Sequence, residues 1–407
     1  MLLRPCGAAC AARRAEFTGR LPACLLDWRM DLSHSDLDSA TVESRSLVYI
    51  LWKREVRVLL TERLGRCWYE KACRALGDVF LAATVLAGLA IGAAPAAMAE
   101  DGFAPGDVPL SRYAEPGPYE TAQTTATHSC DSSPYGSAVN NTWRFWGNHS
   151  ELQCTNIFPS GTDSPIGVTF YYPKDIANMD RLPALVYSPG TGQEPGYYDS
   201  SLRFWASYGY VIAVPYDLLN STPEMGLGGV QALSDANKNP DSPMRGKVDL
   251  GRIIFAGHSG GGGATQLNAS LPNDAYRMVD PDARIIGAVP TEPSAVALGI
   301  LLTVPTLYLT GCNDALVWHW YYPMWTQYHT AITVPAYLAC IRGGTHITPM
   351  DDPAHNAFAP LTLAWMQYLA KGDKDAAGYF VGPNWTLPHD PGIEYVMRNA
   401  LADRLPE

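Results

Sequence analysis

A serine between glycines is the part of the sequence with the clearest chemistry. From Gly257 to Gly261 the chain has the spacing G-x-S-x-G around Ser259. An apolar run, Arg252–Ala256, precedes the motif and a helix-like stretch, Ala264–Ala269, follows it, which is typical of a strand–turn–helix. In so sharp a turn a side chain at either flanking glycine would clash, and the hydroxyl is raised beside backbone N–H groups. The motif predicts a nucleophilic serine; an incidental serine in a glycine-rich loop is the alternative.

A serine hydroxyl needs a base to take its proton and a carboxylate to orient that base. In an open parallel sheet such groups lie just beyond the carboxyl ends of strands. Asp314 is the first acid after the predicted strand Thr306–Leu309, and His346 is the first histidine after the predicted strand Tyr337–Ile341. The order serine, aspartate, histidine along the chain is that of the α/β-hydrolases.

Other residues compete for these two roles. Asp314 could instead cap the helix that follows it, and Asp217, which follows the strand ending at Pro215, is the alternative acid. His346 could be a surface-loop histidine, and we expect His258, next to the serine, to point away from it. The remaining histidines of this region follow no predicted strand: His319, His329, His355 and His389.

Two backbone N–H groups must also face the oxyanion that forms during acyl transfer. One is expected from Gly260, directly after the nucleophile. The other is expected from the loop after the strand Ala184–Tyr187, where Thr191 is the best candidate. Loss of one such donor typically costs about 3–4 kcal/mol of transition-state stabilisation.

The elements that must position these residues lie between residues 165 and 407. Short apolar runs alternate there with helical stretches, which predicts an α/β fold with a mostly parallel central sheet and helices on both faces. The spacing leaves no room for a large lid domain. Strands are predicted at Ile166–Tyr172, Ala184–Tyr187, Tyr210–Val214, Arg252–Ala256, Ile285–Val289, Thr306–Leu309 and Tyr337–Ile341, and helices at Leu202–Tyr208 and Leu361–Ala370.

Residues 100–164 are rich in small and polar residues and are predicted to form an irregular extension. Their aromatic side chains, Trp143, Phe145 and Trp146, would anchor the extension to the body or, alternatively, bind a sugar or polymer. Four cysteines follow residue 99, an even number that predicts two disulfides and allows three pairings. We favour the two local pairs, Cys130–Cys154 and Cys312–Cys340, and the cysteine spacing resembles no zinc ligand set.

Residues 1–99 have the features of an export signal. The apolar run Val79–Ala94 follows basic residues and precedes Ala97-Met98-Ala99, a pattern typical of cleavage after Ala99. The run is shorter than the ~20 residues that a membrane span needs, although a single-pass anchor is the alternative. We interpret the residues before about Leu64 as translation from a start codon placed too early; a small cytoplasmic domain is the weaker alternative.

The whole chain of 407 residues has 40 Asp and Glu against 29 Lys and Arg, for a formal net charge of −11. The acidic excess lies beyond residue 99 and argues against nucleic acid as a partner. We expect a secreted monomer whose partner is an ester substrate, polymeric or lipid, and whose chemistry needs no metal or organic cofactor.

Several motifs in order resemble the bacterial cutinases and polyester hydrolases, including the poly(ethylene terephthalate) hydrolases, within the lid-less α/β-hydrolases. They are Ser188–Thr191, Trp205–Val211, Gly257–Ser259, Val304–Leu307, Asn313–Asp314, Gly343–His346, Leu363–Met366 and Phe380–Asn384. The resemblance implies a secreted carboxylic-ester hydrolase with Ser259, Asp314 and His346 as triad and Thr191 and Gly260 as oxyanion donors. It also implies substrate contacts at Leu316 and Ile347. A lipase or acyltransferase of the same fold, or a secreted binding protein without turnover, are the alternatives.

The chain departs from this family at two places. Gly260 replaces the methionine that commonly follows the serine, so bulkier acyl groups are expected to fit. The tryptophan of the family's aromatic clamp is missing near Glu292–Ser294. Aromatic residues instead follow the acid, from Trp318 to Trp325, and are expected to form a helix with one aromatic face on the core or, alternatively, to line a hydrophobic cleft.

Overall fold

The computed structural model describes residues 113–155 and 166–407. The predicted signal peptide and the cleavage site after Ala99 lie outside these ranges. Within them, no helix has the length and apolar character needed to cross a membrane.

The central element is a sheet of nine strands. The strands of the described chain are β1 Thr121–Gln123, β2 His128–Ser129, β3 Gln153–Cys154, β4 Gly167–Pro173, β5 Leu182–Ser188, β6 Val211–Tyr216, β7 Val248–His258, β8 Ile285–Thr291, β9 Thr306–Gly311, β10 Ala336–Ile341 and β11 Ile393–Arg398. The sheet has the order β1-β4-β6-β5-β7-β8-β9-β10-β11, and β2 pairs separately with β3. The six strands from β6 to β10 in this order are parallel to their neighbours, whereas β1, β4 and β11 are antiparallel.

Helices cover both faces of the sheet. They are α1 Pro134–Phe145, α2 Asp199–Ser207, α3 Glu224–Lys238, α4 Gly260–Ala269, α5 Asn273–Arg277, α6 Phe358–Lys371 and α7 Lys374–Phe380. Successive side chains of a strand point to opposite faces. On β7, Ile254 therefore packs with residues of α2, α6 and α7, and Phe255 packs with residues of α3, α4 and α5. Parallel strands buried on both faces are apolar at nearly every position, which is why short apolar runs predicted them correctly.

The predicted mixed α/β architecture is confirmed, including all seven predicted strands to within a few residues. β11 was not predicted, because Glu394 and Arg398 limit its continuous apolar run to Tyr395–Met397 on a partly exposed edge strand. The predicted helices correspond to α2 and α6, and α4 begins at Gly260, earlier than expected.

The extension differs from the prediction of an irregular segment, because it contains α1. Ser133 caps this helix by accepting a hydrogen bond from Gly136 N, and Pro134 occupies its first turn. Trp143 and Trp146 pack against the core, whereas Phe145 is exposed. Two of the three aromatic residues therefore act as anchors.

Both favoured disulfides are confirmed. Cys130 bonds to Cys154 within the extension, and Cys312 bonds to Cys340 between the end of β9 and β10. The second disulfide joins the two strands that carry Asp314 and His346.

Candidate active site

Ser259 occupies a strained turn between β7 and α4. Its backbone dihedrals are φ 55° and ψ −119°, a conformation that a non-glycine residue rarely adopts. A Cβ atom at Gly257 would lie 2.7 Å from Ser188 O, and one at Gly261 would overlap the carbonyl oxygens of Ser188 and Pro189. Close approach of the β5 end to this turn explains why both flanking positions are glycine.

The structure brings the three predicted polar side chains together. His346 Nε2 lies 2.9 Å from Ser259 Oγ, and His346 Nδ1 lies 2.8 Å from Asp314 Oδ2. His346 and Asp314 are both buried, at 9 % and 4 % exposed, so solvent screens this series only weakly. Such an arrangement can move a proton from the serine hydroxyl to the imidazole and stabilise the imidazolium with the carboxylate.

Asp314 contacts His346, as predicted, but it does not cap a helix, because the next helical segment after it is Tyr322–Tyr328. Its Oδ2 contacts His346, while its Oδ1 accepts hydrogen bonds from the backbone N–H groups of Leu316 and Val317 at 2.7 and 2.9 Å. The turn that follows β9 therefore fixes the direction of the carboxylate. The alternative acid, Asp217, instead uses Oδ1 to accept from the backbone of its own loop, at Leu219 and Asn220.

The predicted oxyanion donors lie side by side. The Cβ position of Gly260 is 3.2 Å from Thr191 N, so the two residues are in close contact. A neighbouring loop holds Thr191 in this place. The side chain of Asn220 donates to the carbonyl oxygens of Gly190 and Gln193, at 2.8 and 2.9 Å.

The space beside Gly260 is smaller than the sequence suggested. We expected the missing methionine to leave room for bulkier acyl groups. A Cβ atom at Gly260 would instead overlap Thr191 Oγ1 and come within 2.5 Å of Ser221 Oγ. The hydroxyl groups of Thr191 and Ser221, 3.0 Å apart, therefore fill the near part of the volume that a side chain here would need.

A second buried layer lies behind the triad, and the sequence did not identify it. His258 points away from Ser259, as expected, and its Nε2 lies 3.0 Å from Glu292 Oε2. Both side chains are fully buried. Glu292 Oε2 is also 3.6 Å from His346 Nδ1, the atom that contacts Asp314. The rule that selected Asp314 would have found Glu292, since it is the first acid after β8.

Burial favours the neutral form of both members of this layer. Burial, and then the charge of Asp314, raises the pKa of Glu292 well above its usual range. Burial, and then the charge of His346, lowers the pKa of His258 well below its usual range.

The buried layer continues to the loop of Thr191. His258 Nδ1 lies 2.6 Å from the hydroxyl of Tyr198, which hydrogen-bonds to Gln193 Oε1. Gln193 Oε1 also accepts from the backbone N–H of Gly190 at 3.1 Å. A continuous series of contacts therefore joins Glu292, behind His346, to the oxyanion loop.

One cluster within the described ranges has the composition of a metal site. Ligand atoms of His258, Glu292 and His346 lie within 4.8 Å of one another. His346 uses its ring nitrogens for Ser259 and Asp314, and Nε2 of His258 faces Glu292 directly. We therefore interpret the cluster as a hydrogen-bond network and not as a metal centre.

The extension contacts the loop that carries Thr191 and the loop that carries His346 through buried carboxyl groups. Glu194, three residues after Thr191, accepts from the backbone N–H and the hydroxyl of Thr155, the former at 2.7 Å. Asp351, five residues after His346, accepts through Oδ1 from three donors: Asn148 Nδ2 at 2.8 Å, His149 N at 2.6 Å and Ser150 N at 3.1 Å. Burial raises the pKa of Glu194 to about 7 and that of Asp351 to about 6.

The two predicted substrate contacts differ in exposure. Leu316 is 44 % exposed beside Asp314, whereas Ile347 is 1 % exposed and packs in the apolar core. In this conformation only Leu316 presents its side chain to solvent.

The aromatic residues after Asp314 do not pack one face on the core, contrary to the first expectation. Four of them are each 47–59 % exposed: Trp318, Trp320, Tyr321 and Trp325. The segment Tyr322–Tyr328 is a π-helix, and Trp318 stacks on Trp320 with ring centroids 5.6 Å apart. These side chains form an exposed apolar surface beside Asp314, and the alternative that they line a hydrophobic cleft stays a prediction.

A cavity of about 450 Å³ lies between the extension and α2. Its lining includes Glu115, Tyr119, Ser200, Arg203, Phe204 and Asp352. None of the triad residues line it, so it has no part in the chemistry argued from Ser259.

Comparison of the chain with protein-family models gives no match, and comparison with curated proteins gives no significant match.

Proposed function

We propose that the chain is a serine hydrolase of the α/β-hydrolase class that cleaves carboxylic esters through an acyl-enzyme. The observation that carries the proposal is the hydrogen-bonded series Ser259–His346–Asp314 in a strained strand–turn–helix at the carboxyl ends of parallel strands. The neighbouring backbone of Thr191 and Gly260 supports it, because acyl transfer needs donors for the oxyanion.

The proposed reaction follows from these positions. Ser259 Oγ attacks the ester carbonyl while His346 Nε2 takes its proton, and Asp314 stabilises the imidazolium. The carbonyl oxygen becomes an oxyanion beside the N–H groups of Thr191 and Gly260. His346 then donates its proton to the leaving alcohol, and a water molecule activated by His346 releases the acid and restores Ser259.

The proposed substrates are esters presented by apolar material, such as a polyester or a lipid. Support comes from the resemblance of the motifs to the cutinases and from the exposed aromatic side chains after Asp314. A lipase of the same class would show its highest kcat/KM on triglycerides, so rates on polyester films, triglycerides and short esters would separate the two.

We also propose export, with cleavage after Ala99. The two disulfides support it, because disulfides persist in oxidising compartments. N-terminal sequencing of the protein from culture medium tests this; a mature protein that begins near Met1 would refute it.

Hydrolysis of a short p-nitrophenyl ester tests the activity. Ser259→Ala should lose about 10³-fold or more in kcat, because the nucleophile is removed. Ser200→Ala, on α2, is the matched control and should retain the rate. A fluorophosphonate that labels wild type but not Ser259→Ala supports an enzyme, whereas absence of labelling favours a binding protein without turnover.

A further inference from the structure

We propose that Glu292 is a positioning residue that acts as a neutral carboxylic acid, donating its proton to His258 and standing behind His346 as a second carboxyl group. The inference rests on the proposed hydrolase function for its catalytic consequence. The protonation of Glu292 follows from hydrogen-bond geometry together with the neutral form of His258 that burial favours.

The hydrogen bonds of Gln193 fix the orientation of its side-chain amide. Its Oε1 faces the backbone N–H of Gly190 at 3.1 Å, so the amide oxygen, and not the nitrogen, occupies that position. Tyr198 donates its single hydroxyl proton to the same oxygen. Burial raises the pKa of Tyr198, so this hydroxyl stays protonated.

The same hydrogen bonds determine which ring nitrogen of His258 carries the hydrogen. Its Nδ1 lies 2.6 Å from Tyr198 Oη, whose proton is already used, and 3.3 Å from Gln193 Oε1, which can only accept. Nδ1 must therefore carry the hydrogen in both contacts. A neutral imidazole has one N–H, so Nε2 of His258 has a free lone pair.

The free lone pair of His258 places a proton on Glu292. Nε2 of His258 and Oε2 of Glu292 are 3.0 Å apart, and a carboxylate there would place two lone pairs against each other. The proton must lie on Glu292 Oε2, while Oε1 accepts from the backbone N–H of Gly311 at 3.1 Å. The raised pKa of Glu292 agrees with this assignment.

Titratable groups from every neighbouring element face Glu292. They are His258 after β7, Asp314 after β9, His346 after β10, Tyr187 on β5 and Tyr198 before α2. One carboxylate, Asp314, already serves His346. A second negative charge 3.6 Å from the same Nδ1 would repel the first, and a neutral acid avoids this repulsion.

The position of Glu292 affects His346 through His258. The rings of His258 and His346 pack with centroids 4.8 Å apart. Tyr198 and Glu292 hydrogen-bond to the two ring nitrogens of His258, so the orientation of this ring against His346 is fixed. The same series reaches Gly190 and thereby ties the oxyanion loop to the base.

Two variants separate a neutral acid from a carboxylate. Glu292→Gln can donate its amide N–H to His258 and accept from Gly311, so kcat should fall only about two- to fivefold, within the usual worth of one hydrogen bond. The acid limb of kcat/KM against pH should not move, because no charge is lost. Glu292→Leu breaks both contacts, and kcat should fall about tenfold or more while KM changes little. Glu120→Gln, far from the site and exposed, is the matched control.

A carboxylate at position 292 would give a different result. Glu292→Gln would then remove a negative charge beside His346 and shift the acid limb to lower pH by about one unit. Such a shift, or an unchanged kcat in Glu292→Leu, would overturn the proposal.

The direct test is the tautomer of His258, measured by ¹⁵N NMR of the wild-type protein at pH 8, with His258 assigned from a His258→Gln sample. We expect the Nδ1–H tautomer; the Nε2–H tautomer, or a doubly protonated ring, would place the shared proton on His258 and would contradict the proposal. This measurement does not depend on turnover. Absence of ester hydrolysis by the wild type would refute the proposed function and leave the tautomer result standing.

Discussion

Two regions of the molecule hold buried carboxyl groups near Thr191 and His346, and they do so in different ways. At the carboxyl ends of the parallel strands, Glu292 is held by side chains and by one N–H of a neighbouring strand. In the extension, donors from Asn148 to Thr155 reach Glu194 and Asp351 from outside the sheet. The sheet assembles the reacting groups, whereas the extension supports the loops that carry them. Changes in the first region should therefore alter kcat, and changes in the second should chiefly alter stability.

The largest effect is expected at Asp314. Asp314→Asn keeps the shape but no longer stabilises the imidazolium, so kcat should fall about 10³–10⁴-fold. Asp217→Asn, the matched change in the competing acid, should lower kcat less than about tenfold, because the Asp217 side chain contacts its own loop. Steady-state kinetics on a short p-nitrophenyl ester compares the two. Equal losses would remove Asp314 from its assigned role.

The next largest effects are expected from removal of the two disulfides, one of which lies in each region. Each closes a loop of similar length, so replacing either pair by serine should cost about 2–4 kcal/mol of unfolding free energy. Loss of Cys312–Cys340 should also lower kcat, because that bond joins the strands before Asp314 and His346. Loss of Cys130–Cys154 should leave kcat within a few-fold. Urea unfolding and kinetics of both variants check this, and equal effects on kcat would break the comparison.

A smaller effect is expected at Asp351. Asp351→Ala removes the acceptor for three donors of the extension, so the unfolding free energy should fall by about 2 kcal/mol. The triad is not touched, and kcat should change little below the melting temperature. Asp241→Ala, at an exposed position whose side chain makes no hydrogen bond to the extension, is the control. A large loss of kcat at full stability would show that the extension takes part in positioning His346.

The smallest effect is a pH dependence at Glu194. Its pKa in the folded protein is raised from 4.5 to about 7, chiefly by burial. The folded state then binds the proton more tightly than the unfolded state, so stability from this group is complete below about pH 4.5 and is lost as pH rises to about 7. The loss should be on the order of 2 kcal/mol.

Glu194→Gln should lack this loss. We expect the wild type to lose more unfolding free energy than Glu194→Gln between pH 5 and pH 8, as measured by urea unfolding at each pH. Asp351 has the same sign between pH 3.8 and about 6 but is present in both proteins, so it cancels. Parallel behaviour of the two proteins would contradict a raised pKa at Glu194.

The sequence was informative where local patterns decide the structure. Buried parallel strands are apolar at nearly every position, and polar residues at their ends stand out, which identified Ser259, Asp314 and His346. Glu292 stands at the same kind of position but was not predicted, because a triad needs one acid and only Asp314 and Asp217 were weighed for that role. His258 could not be assigned a partner, since its contacts come from β8 and from the segment before α2.

The extension was the least predictable region. Apolar residues of helix α1 are mixed with Gly, Ser, Asn and Thr, and the cap at Ser133 and Pro134 marks its start. The contacts of Asp351 with Asn148 bridge about 200 positions of sequence, and no local pattern encodes them. The burial of Ile347 and the filled space beside Gly260 likewise depend on loops that meet only in the folded chain.

The central claim is that Ser259 is a nucleophile activated by His346. The most direct measurement is a rapid-mixing experiment with a p-nitrophenyl ester, followed by acid quenching and mass spectrometry of the peptide that contains Ser259. The account predicts a burst of nitrophenol close to one per protein and an acyl group on Ser259, both absent from His346→Ala. Undiminished turnover by Ser259→Ala, or an acyl group on any other residue, would contradict it.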